Sequence, residues 1–183
     1  MIVMSGFTEK MISSKRIYEG RIINLRLDKV TLPNGETSTR EIVEYAGAVA
    51  VVPVNKKGEL LLVRQFRYAV GQTLLEIPAG KIEPGEDYAA CAGRELLEET
   101  GYAAGKLKHL ISFYSTPGFT NEQIHLFLAT DLTLKKQNLD DDEFIDVETV
   151  KLEQALEMIL SGRICDAKSI AGILTAQKFQ NRI

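Results

Sequence analysis

Three glutamates of the chain lie close enough in sequence to form one acidic cluster: Glu95, Glu98 and Glu99. Glu95 and Glu99 are four residues apart, and at about 100° per residue they share one side of an α-helix. Carboxylates this close repel one another at neutral pH unless a cation lies among them. Since all the ligand atoms are oxygens, the cluster favours Mg²⁺ or Mn²⁺ over zinc. The ordinary alternative is a solvated charged face, on which Arg94 is an ion-pair partner of Glu98.

The residues around the cluster predict where its helix begins and ends. Pro84-Gly85 predicts a turn, and Glu86 and Asp87 place negative charge where a helix N-terminus favours it. Gly101 is the residue type that commonly follows the last turn of a helix. We expect one side of this helix to pack on a sheet through residues at helical spacing: Ala89, Ala92, Gly93 and Leu96.

The rest of the chain supplies the elements that must position this helix. Apolar runs predict strands at 47–54, 59–66, 74–77, 107–114 and 123–130, and helical spacing predicts helices at 152–160 and 167–179. Gly162 predicts the end of the first of these helices, and Asp166 the N-cap of the second. Residues 16–45 alternate around Asn34-Gly35, which predicts a hairpin. This order of elements predicts an α/β (α+β) fold, with an N-terminal antiparallel β extension at 1–45 and a main domain at 46–183.

Composition excludes several classes of protein. The chain has 183 residues, 45% of them apolar, and a net charge of −3, which predicts a packed core and no nucleic-acid surface. The two cysteines, Cys91 and Cys165, fit no metal spacing, so we expect reduced thiols. The sequence contains neither a signal-peptide pattern nor an apolar run of membrane-spanning length. These features predict a cytoplasmic protein with no membrane partner.

The spacing within residues 80–102 carries a more specific resemblance. Seven residues stand at the fixed positions of GX₅EX₇REUXEEXGU, the signature of the Nudix hydrolases: Gly80, Glu86, Arg94, Glu95, Glu98, Glu99 and Gly101. A chance match of this kind is expected on the order of once in 10⁶ chains. Tyr102 departs from the pattern, which has a bulky aliphatic residue there. The resemblance implies an α/β/α sandwich with a mixed sheet.

Three flanking segments resemble the ADP-ribose pyrophosphatase branch of that family: residues 64–67, 75–80 and 115–119. The resemblance implies a Mg²⁺-dependent enzyme, with Mn²⁺ as a substitute, that hydrolyses ADP-ribose to AMP and ribose 5-phosphate. Two alternatives stay open. One is the same chemistry on another nucleoside diphosphate derivative, such as a sugar nucleotide or a dinucleoside polyphosphate. The other is a non-catalytic module that senses a nucleotide.

The resemblance also implies roles for individual residues. The metal ligands it implies are the Ala79 carbonyl, Glu95 and Glu99, with a weaker contribution from Glu98. It implies that Arg94 orients these carboxylates. It places a catalytic base in the acidic loop at 139–143, where Glu143 fits best and Asp141 is the rival.

Substrate contacts follow from the same resemblance. Arg67 is expected to bind the diphosphate, and Glu76 is either a substrate contact or a paired structural acid. Gly118 lies in the turn that marks the branch, and Glu122 is a candidate for ribose or metal contact. Relatives of this branch are homodimers whose N-terminal strands line the partner's adenine pocket, so Arg40 and Tyr45 are expected to contact the substrate bound by a second copy. His109 and His125 receive no role.

Overall fold

The computed structural model describes residues 6–139 and 143–180. The chain divides into two compact units. The first, here the N-terminal unit, contains the residues up to Ala46 together with Tyr114–Glu122. The second, here the main unit, contains Gly47–Phe113 and the residues from Gln123 onward.

The N-terminal unit is built on a three-stranded antiparallel sheet. Its strands are β1 (Lys10–Glu19), β2 (Asn24–Thr31) and β3 (Thr37–Glu44), in that spatial order. The predicted Asn34-Gly35 hairpin is confirmed and joins β2 to β3. Gly35 has a φ of 88° and its N–H donates to the Leu32 carbonyl at 2.9 Å, a backbone conformation that glycine adopts without steric cost. The sequence pattern did not separate β1 from β2, which are joined by a short turn in which the Gly20 N–H donates to the Ile23 carbonyl.

The main unit contains nine strands, three α-helices and one short 3₁₀ helix (Tyr68–Val70) among the residues that the structure describes. The strands are β4 (Ala48–Pro53), β5 (Glu59–Arg67), β6 (Gln72–Glu76), β7 (Ala79–Lys81), β8 (Tyr102–Ala103), β9 (Lys106–Tyr114), β10 (Gln123–Thr130), β11 (Thr133–Leu134) and β12 (Ile145–Lys151). The helices are α1 (Tyr88–Thr100), α2 (Leu152–Leu160) and α3 (Ala167–Gln180). The β9 strand extends one residue beyond the main unit, at Tyr114.

The central sheet of the main unit has the order β7-β4-β10-β9. It is mixed, because β4 pairs parallel with β10 and antiparallel with β7. A second sheet, β12-β5-β6, is antiparallel, and β8 pairs with β11. The β12 strand was not predicted from the sequence, although Ile145, Asp146, Val147 and Glu148 alternate between apolar and polar residues.

Successive side chains of β4 point to opposite faces of the sheet, as strand geometry requires. Val49 and Val51 pack with Cys91, Ala92 and Leu96 of α1. The alternate residues join a separate core with the other two helices, which includes Ala50, Val52, Met158, Ile164 and Ile173. The main unit is therefore an α/β/α sandwich with a mixed sheet, which confirms the predicted fold class.

The ends of α1 agree with the sequence signals. Asp87 is the N-cap, and its Oδ1 accepts hydrogen bonds from the N–H groups of Ala89 and Ala90 at 3.0 and 3.1 Å. Gly101 follows the last turn with a φ of 74° and donates to the Leu97 carbonyl at 2.8 Å. The expectation that Ala89 packs on the sheet is wrong, because the first turn of the helix projects beyond the core and leaves Ala89 exposed.

The ends of the other helices also follow the sequence. Asp166 caps α3, where its Oδ2 accepts from the Ser169 N–H at 3.1 Å, and Gly162 follows the end of α2 with a φ of 76°. Within the described residues, no helix has the length and apolar character needed to cross a membrane.

Candidate active site

The acidic cluster of α1 is organised by one arginine. The Arg94 Nη1 donates to Glu95 Oε1 at 2.7 Å and to Glu98 Oε2 at 2.9 Å. Its Nε and Nη2 make two further bonds to Glu86, at 2.9 and 3.0 Å. These bonds lower the pKa of Glu86 to about 2 and raise the pKa of the arginine. Arg94 thus pairs with three carboxylates and not only with Glu98, the partner expected for a solvated charged face.

Glu99 lies beneath this arginine network, on the side of the helix that faces the sheet. Only 3% of the residue is exposed. Its Oε2 accepts a hydrogen bond from the Ala79 N–H at 3.2 Å. Burial, followed by the negative charge of Glu95, raises the pKa of Glu99 to about 8. A carboxyl group in such a place stays ionised at neutral pH only when positive charge approaches it.

The backbone of Gly80 lies directly against the Glu95 carboxylate. A Cβ atom on Gly80 would lie 1.9 Å from Glu95 Cδ and 2.1 and 2.2 Å from its carboxylate oxygens. The backbone and the carboxylate therefore meet at a distance that only glycine permits. This contact gives a physical reason for the glycine at the start of the signature.

A cavity of about 200 Å³ opens above the cluster. Its lining combines backbone from β7, the polar face of α1 and the segment that precedes β12: Ala79, Gly80, Lys81, Glu83, Arg94, Glu95, Glu98, Asn138 and Glu143. The segment is held against the end of α1 by hydrogen bonds from the Asn138 N–H to the Glu98 carbonyl at 3.2 Å and from the Lys135 N–H to the Gly101 carbonyl at 2.7 Å. The structure thus brings Glu143 to the same cavity as Glu95 and Glu98. Its rival Asp141 lies outside the described residues.

The chemistry of this cavity fits a divalent cation. The groups available are carboxylate oxygens and the backbone of β7, which are ligands that Mg²⁺ and Mn²⁺ prefer. Burial and the neighbouring carboxylates raise the pKa of Glu99, and the charge of Glu143 contributes to this rise. Between residues 6 and 139 and from 143 to 180, no three acidic, histidine or cysteine side chains already stand together as a metal site. Glu95 and Glu98 are instead bound to Arg94 in this structure.

Arg67 and Glu76 are joined along the β5–β6 hairpin, in which Arg67 pairs with Gln72 beside the turn and Glu76 pairs with Val63 at the open end. Arg67 donates from Nε and Nη2 to the two carboxylate oxygens of Glu76, at 3.0 and 2.7 Å. Burial alone would raise the pKa of Glu76, but the bond from Arg67 and the charge of Lys168 lower it overall. The Glu76 side chain is 2% exposed and that of Arg67 is 38% exposed. Glu76 is thus paired with Arg67 in this structure, and its role as a substrate contact stays a prediction.

The remaining predicted residues belong to the N-terminal unit. Tyr45 and Glu122 line one cavity of about 320 Å³, together with apolar side chains that include Val43 and Phe119. Glu122 accepts a hydrogen bond from Ser115. Gly118 lies in the connection that precedes this residue, and a Cβ there would meet no atom within 4 Å. Arg40 lies on β3 and pairs with Glu9, with an Nε to Oε2 distance of 2.9 Å.

Sequence reasoning overlooked two groups of residues in the main unit. Lys168 binds Glu76 and Asp166, and only its place two residues after a predicted N-cap could have drawn attention to it. His125 is buried, stacks on the Tyr88 ring with centroids 3.8 Å apart, and lies 2.7 Å from Ser112 Oγ through its Nδ1. Burial lowers the pKa of His125. These contacts fit the core position expected for this histidine.

Comparison with known proteins agrees with this geometry. The NUDIX domain model matches residues 44–171, which is well over half of the chain. The chain belongs to the Nudix family. A second model, described as the nucleoside diphosphate sugar hydrolase N-terminal domain, matches residues 9–43. The family as a whole uses divalent metal ions.

Individual Nudix relatives extend the likeness over almost the whole chain. It is 46% identical to the ADP-ribose pyrophosphatase of Bacillus subtilis (strain 168), with 93% of each protein covered. It is 45% identical to the methanol dehydrogenase activator of Bacillus methanolicus, with 91% of each covered. A solved structure of an ADP compounds hydrolase superposes with a TM-score of 0.86 over 96% of this chain and 97% of that one, at 21% identity. At that identity the superposition shows the fold alone.

Proposed function

We propose that this Nudix hydrolase is a Mg²⁺-dependent ADP-ribose pyrophosphatase, which converts ADP-ribose and water into AMP and ribose 5-phosphate. The observation that carries the proposal is the cavity in which Glu95 and Glu98 of the Nudix helix face Glu143. The 46% identity to a protein named for this activity, over 93% of both chains, supports the choice of substrate.

The reaction requires an attacking water, a base and a stabilised leaving group. A water oxygen attacks one phosphorus of the diphosphate, the bond from that phosphorus to the bridging oxygen breaks, and the leaving phosphate keeps the electron pair. Glu143 accepts the proton of the water, which assigns it the role of general base. Arg94 keeps Glu95 and Glu98 in place through the bonds described above. The Ala79 carbonyl, Glu95, Glu99 and Glu98 are the proposed ligands of Mg²⁺, which when bound neutralises phosphate oxygens and acidifies water.

Each unit contains residues predicted to contact a substrate, and in the main unit these are Arg67 and Glu76. Arg67, more than a third exposed above Glu76, is the proposed contact of the diphosphate, and its planar guanidinium suits that anion. In the N-terminal unit, Tyr45 and Glu122 line one cavity; Tyr45 is proposed to contact the substrate bound by a second copy, and Glu122 stays a candidate for ribose or metal contact. Gly118 and Arg40 remain predicted contacts in that unit.

The N-terminal β extension, at 1–45 of the sequence, is the proposed dimerisation element. All ten residues of β1 are exposed, and several are apolar, including Met11 at 62% and Tyr18 at 56%. A long exposed edge strand with apolar side chains favours pairing with another chain. We therefore infer a homodimer. The cytoplasmic location stays a prediction.

The deciding experiment is hydrolysis of ADP-ribose with and without Mg²⁺ in ¹⁸O-labelled water. We expect AMP and ribose 5-phosphate to accumulate only with the metal, and one of the two products to carry the label. GDP-mannose is the natural competitor, because the chain is 33% identical to the GDP-mannose pyrophosphatase of Enterobacter sp. (strain 638). A higher kcat/KM for GDP-mannose than for ADP-ribose would overturn the substrate while keeping the reaction. Failure to hydrolyse any nucleoside diphosphate derivative would favour a nucleotide sensor.

A further inference from the structure

Four charged side chains of the main unit form a network, here called the ion quartet: Arg67, Glu76, Asp166 and Lys168. Glu76 is at its centre. It accepts two bonds from Arg67 on one side and one from the Lys168 ammonium on the other. Lys168 in turn lies 2.9 Å from Asp166 Oδ2. The quartet contains two positive and two negative groups, so its formal charge is zero.

The members of the ion quartet differ in how far their side chains are exposed to solvent. The side chains of Glu76, Asp166 and Lys168 are 2%, 14% and 15% exposed, whereas that of Arg67 is 38% exposed. Three members are therefore nearly withdrawn from water, and the fourth carries its guanidinium to the surface. Arg67 also lies within electrostatic range of the acidic cluster, because its positive charge opposes the rise in the pKa of Glu99.

Charge balance gives Lys168 a specific effect on this arginine. With Lys168 in place, the Glu76 carboxylate is shared between two cations, and Arg67 retains positive potential toward an anionic ligand. Without the ammonium, the other three members sum to a negative charge, and Glu76 is balanced by Arg67 alone. The attraction of Arg67 for a diphosphate would then fall, since charges close together in a poorly solvated site are weakly screened.

The first turn of α3 holds Lys168 firmly at this place. Asp166 caps the helix by accepting from the Ser169 N–H at 3.1 Å. The Ser169 hydroxyl accepts from the Ile77 N–H at 2.8 Å, next to Glu76 in sequence. The helix is thus fixed to the end of β6 by two neighbouring contacts: the neutral hydrogen bond of Ser169 and the ion pair of Lys168 with Glu76. This arrangement supplies a matched pair of positions for an experiment.

We propose that Lys168 is a positioning residue for substrate binding: through Glu76 it keeps Arg67 oriented and positively charged toward the substrate diphosphate. The inference rests on the proposed function, because Arg67 has been assigned to the diphosphate there. Lys168 itself touches neither the substrate nor the acidic cluster in this assignment. Its effect is expected in substrate affinity, whereas the step that breaks the bond is expected to proceed at nearly the normal rate.

The test uses Lys168→Gln and Lys168→Arg, with Ser169→Ala as the matched control from the same turn. We expect Lys168→Gln to raise KM for ADP-ribose by about tenfold or more with kcat within about threefold of normal, since uniform binding is lost. Lys168→Arg restores the positive charge and should return KM most of the way. Ser169→Ala removes the neutral hydrogen bond to the Ile77 N–H and should lower Tm while leaving KM unchanged.

A second readout is independent of activity. The Nε–H of Arg67, hydrogen-bonded to Glu76 at 3.0 Å, can be followed by ¹H–¹⁵N NMR and assigned by its loss in Arg67→Lys. We expect its resonance to shift in Lys168→Gln, to return in Lys168→Arg and to stay in place in Ser169→Ala. If Lys168→Gln does not fold, the Asp166→Asn/Lys168→Gln double variant removes both charges of the buried pair and is expected to raise KM in the same direction by a smaller factor, because Glu76 is again balanced by Arg67 alone while the remaining charge is zero.

Three results would overturn the role of Lys168: an unchanged KM in the folded Gln variant, an equal rise in KM in Ser169→Ala, or an unmoved Arg67 resonance. A failure of the proposed function would give a different experimental result. If the unaltered protein does not hydrolyse ADP-ribose, the reaction assignment is wrong, and the NMR comparison still decides whether Lys168 positions Arg67.

Discussion

The contact between Gly80 and Glu95 makes the sharpest prediction about this enzyme. In Gly80→Ala the new methyl group would lie 1.9 Å from Glu95 Cδ, whereas real Cβ atoms essentially never approach a heavy atom within 3.0 Å. The glutamate side chain is flexible and the backbone of β7 is paired with β4, so the carboxylate is the group that must move. The displacement required is about 1 Å or more, because packed atoms do not interpenetrate.

A shift of that size has a large kinetic effect and a small effect on folding. A misplacement of about 1 Å near reacting atoms costs on the order of 10²-fold in rate, so we expect kcat for ADP-ribose to fall by roughly that factor. The displaced Glu95 also loses its bond to Arg94, but that arginine is about one-third exposed, and such a pair contributes at most about 1 kcal/mol. Tm should therefore fall by no more than about 4 °C, since 1 kcal/mol corresponds to roughly 2–4 °C in chains of this size.

Gly93→Ala is the matched control, because it places the same methyl group on the neighbouring helix. Its Cβ would lie 3.5 Å from Leu107 Cδ1, an ordinary contact. Alanine in a helix interior is about 0.5–1 kcal/mol more favourable than glycine, so Tm should rise and kcat should stay normal. Normal turnover in Gly80→Ala would refute the reasoning, as would an equal loss of turnover in both variants.

Four further predictions follow from the same structure. Glu143→Gln is expected to lower kcat by about 10²–10⁴-fold, measured beside the exposed control Asp146→Asn; a loss of less than about tenfold would remove Glu143 as the base. Glu99→Gln should abolish turnover yet raise Tm by a few degrees in metal-free buffer near pH 7, because folding otherwise has to protonate a carboxyl group whose pKa burial and Glu95 raise to about 8; a lower Tm would contradict this. The pKa of Glu76 is lowered in the folded protein, so its contribution to the free energy of unfolding is present above the ordinary glutamate pKa and is lost as pH falls through the folded value. In urea unfolding between about pH 3 and 7, the free energy of unfolding should therefore fall less steeply with decreasing pH in Glu76→Gln than in the unaltered protein. Ile17→Glu on β1, whose side chain is about half exposed, should convert the proposed dimer to a monomer in size-exclusion chromatography with light scattering, whereas an unchanged mass would contradict the assignment of β1 to the interface.

The local features of the active-site helix were readable from the sequence. The negative charge at the start of the helix, the Gly101 C-terminus and the placement of Glu95 and Glu99 on one side depend on residues at most a few positions apart. The resemblance to the Nudix signature rests on the same short segment. Interactions over so few residues depend on spacing and residue type, so they can be predicted without knowledge of the rest of the fold. The incorrect burial of Ala89 shows the limit, since periodicity indicates a side of the helix but not how far the sheet extends beneath it.

Other features were decided by tertiary structure. Spacing could not show that Gly80 lies under Glu95, or that Ala79 and Glu99, 20 residues apart, share a hydrogen bond. Lys168 and Glu76 are 92 residues apart, and their pairing depends on where α3 docks against the end of β6. The sequence likewise could not show that Glu76 pairs with both Arg67 and Lys168. Residue type and spacing along one segment determined the identity of the reactive groups, while the packing of distant segments determined which of those groups are buried, paired and charged.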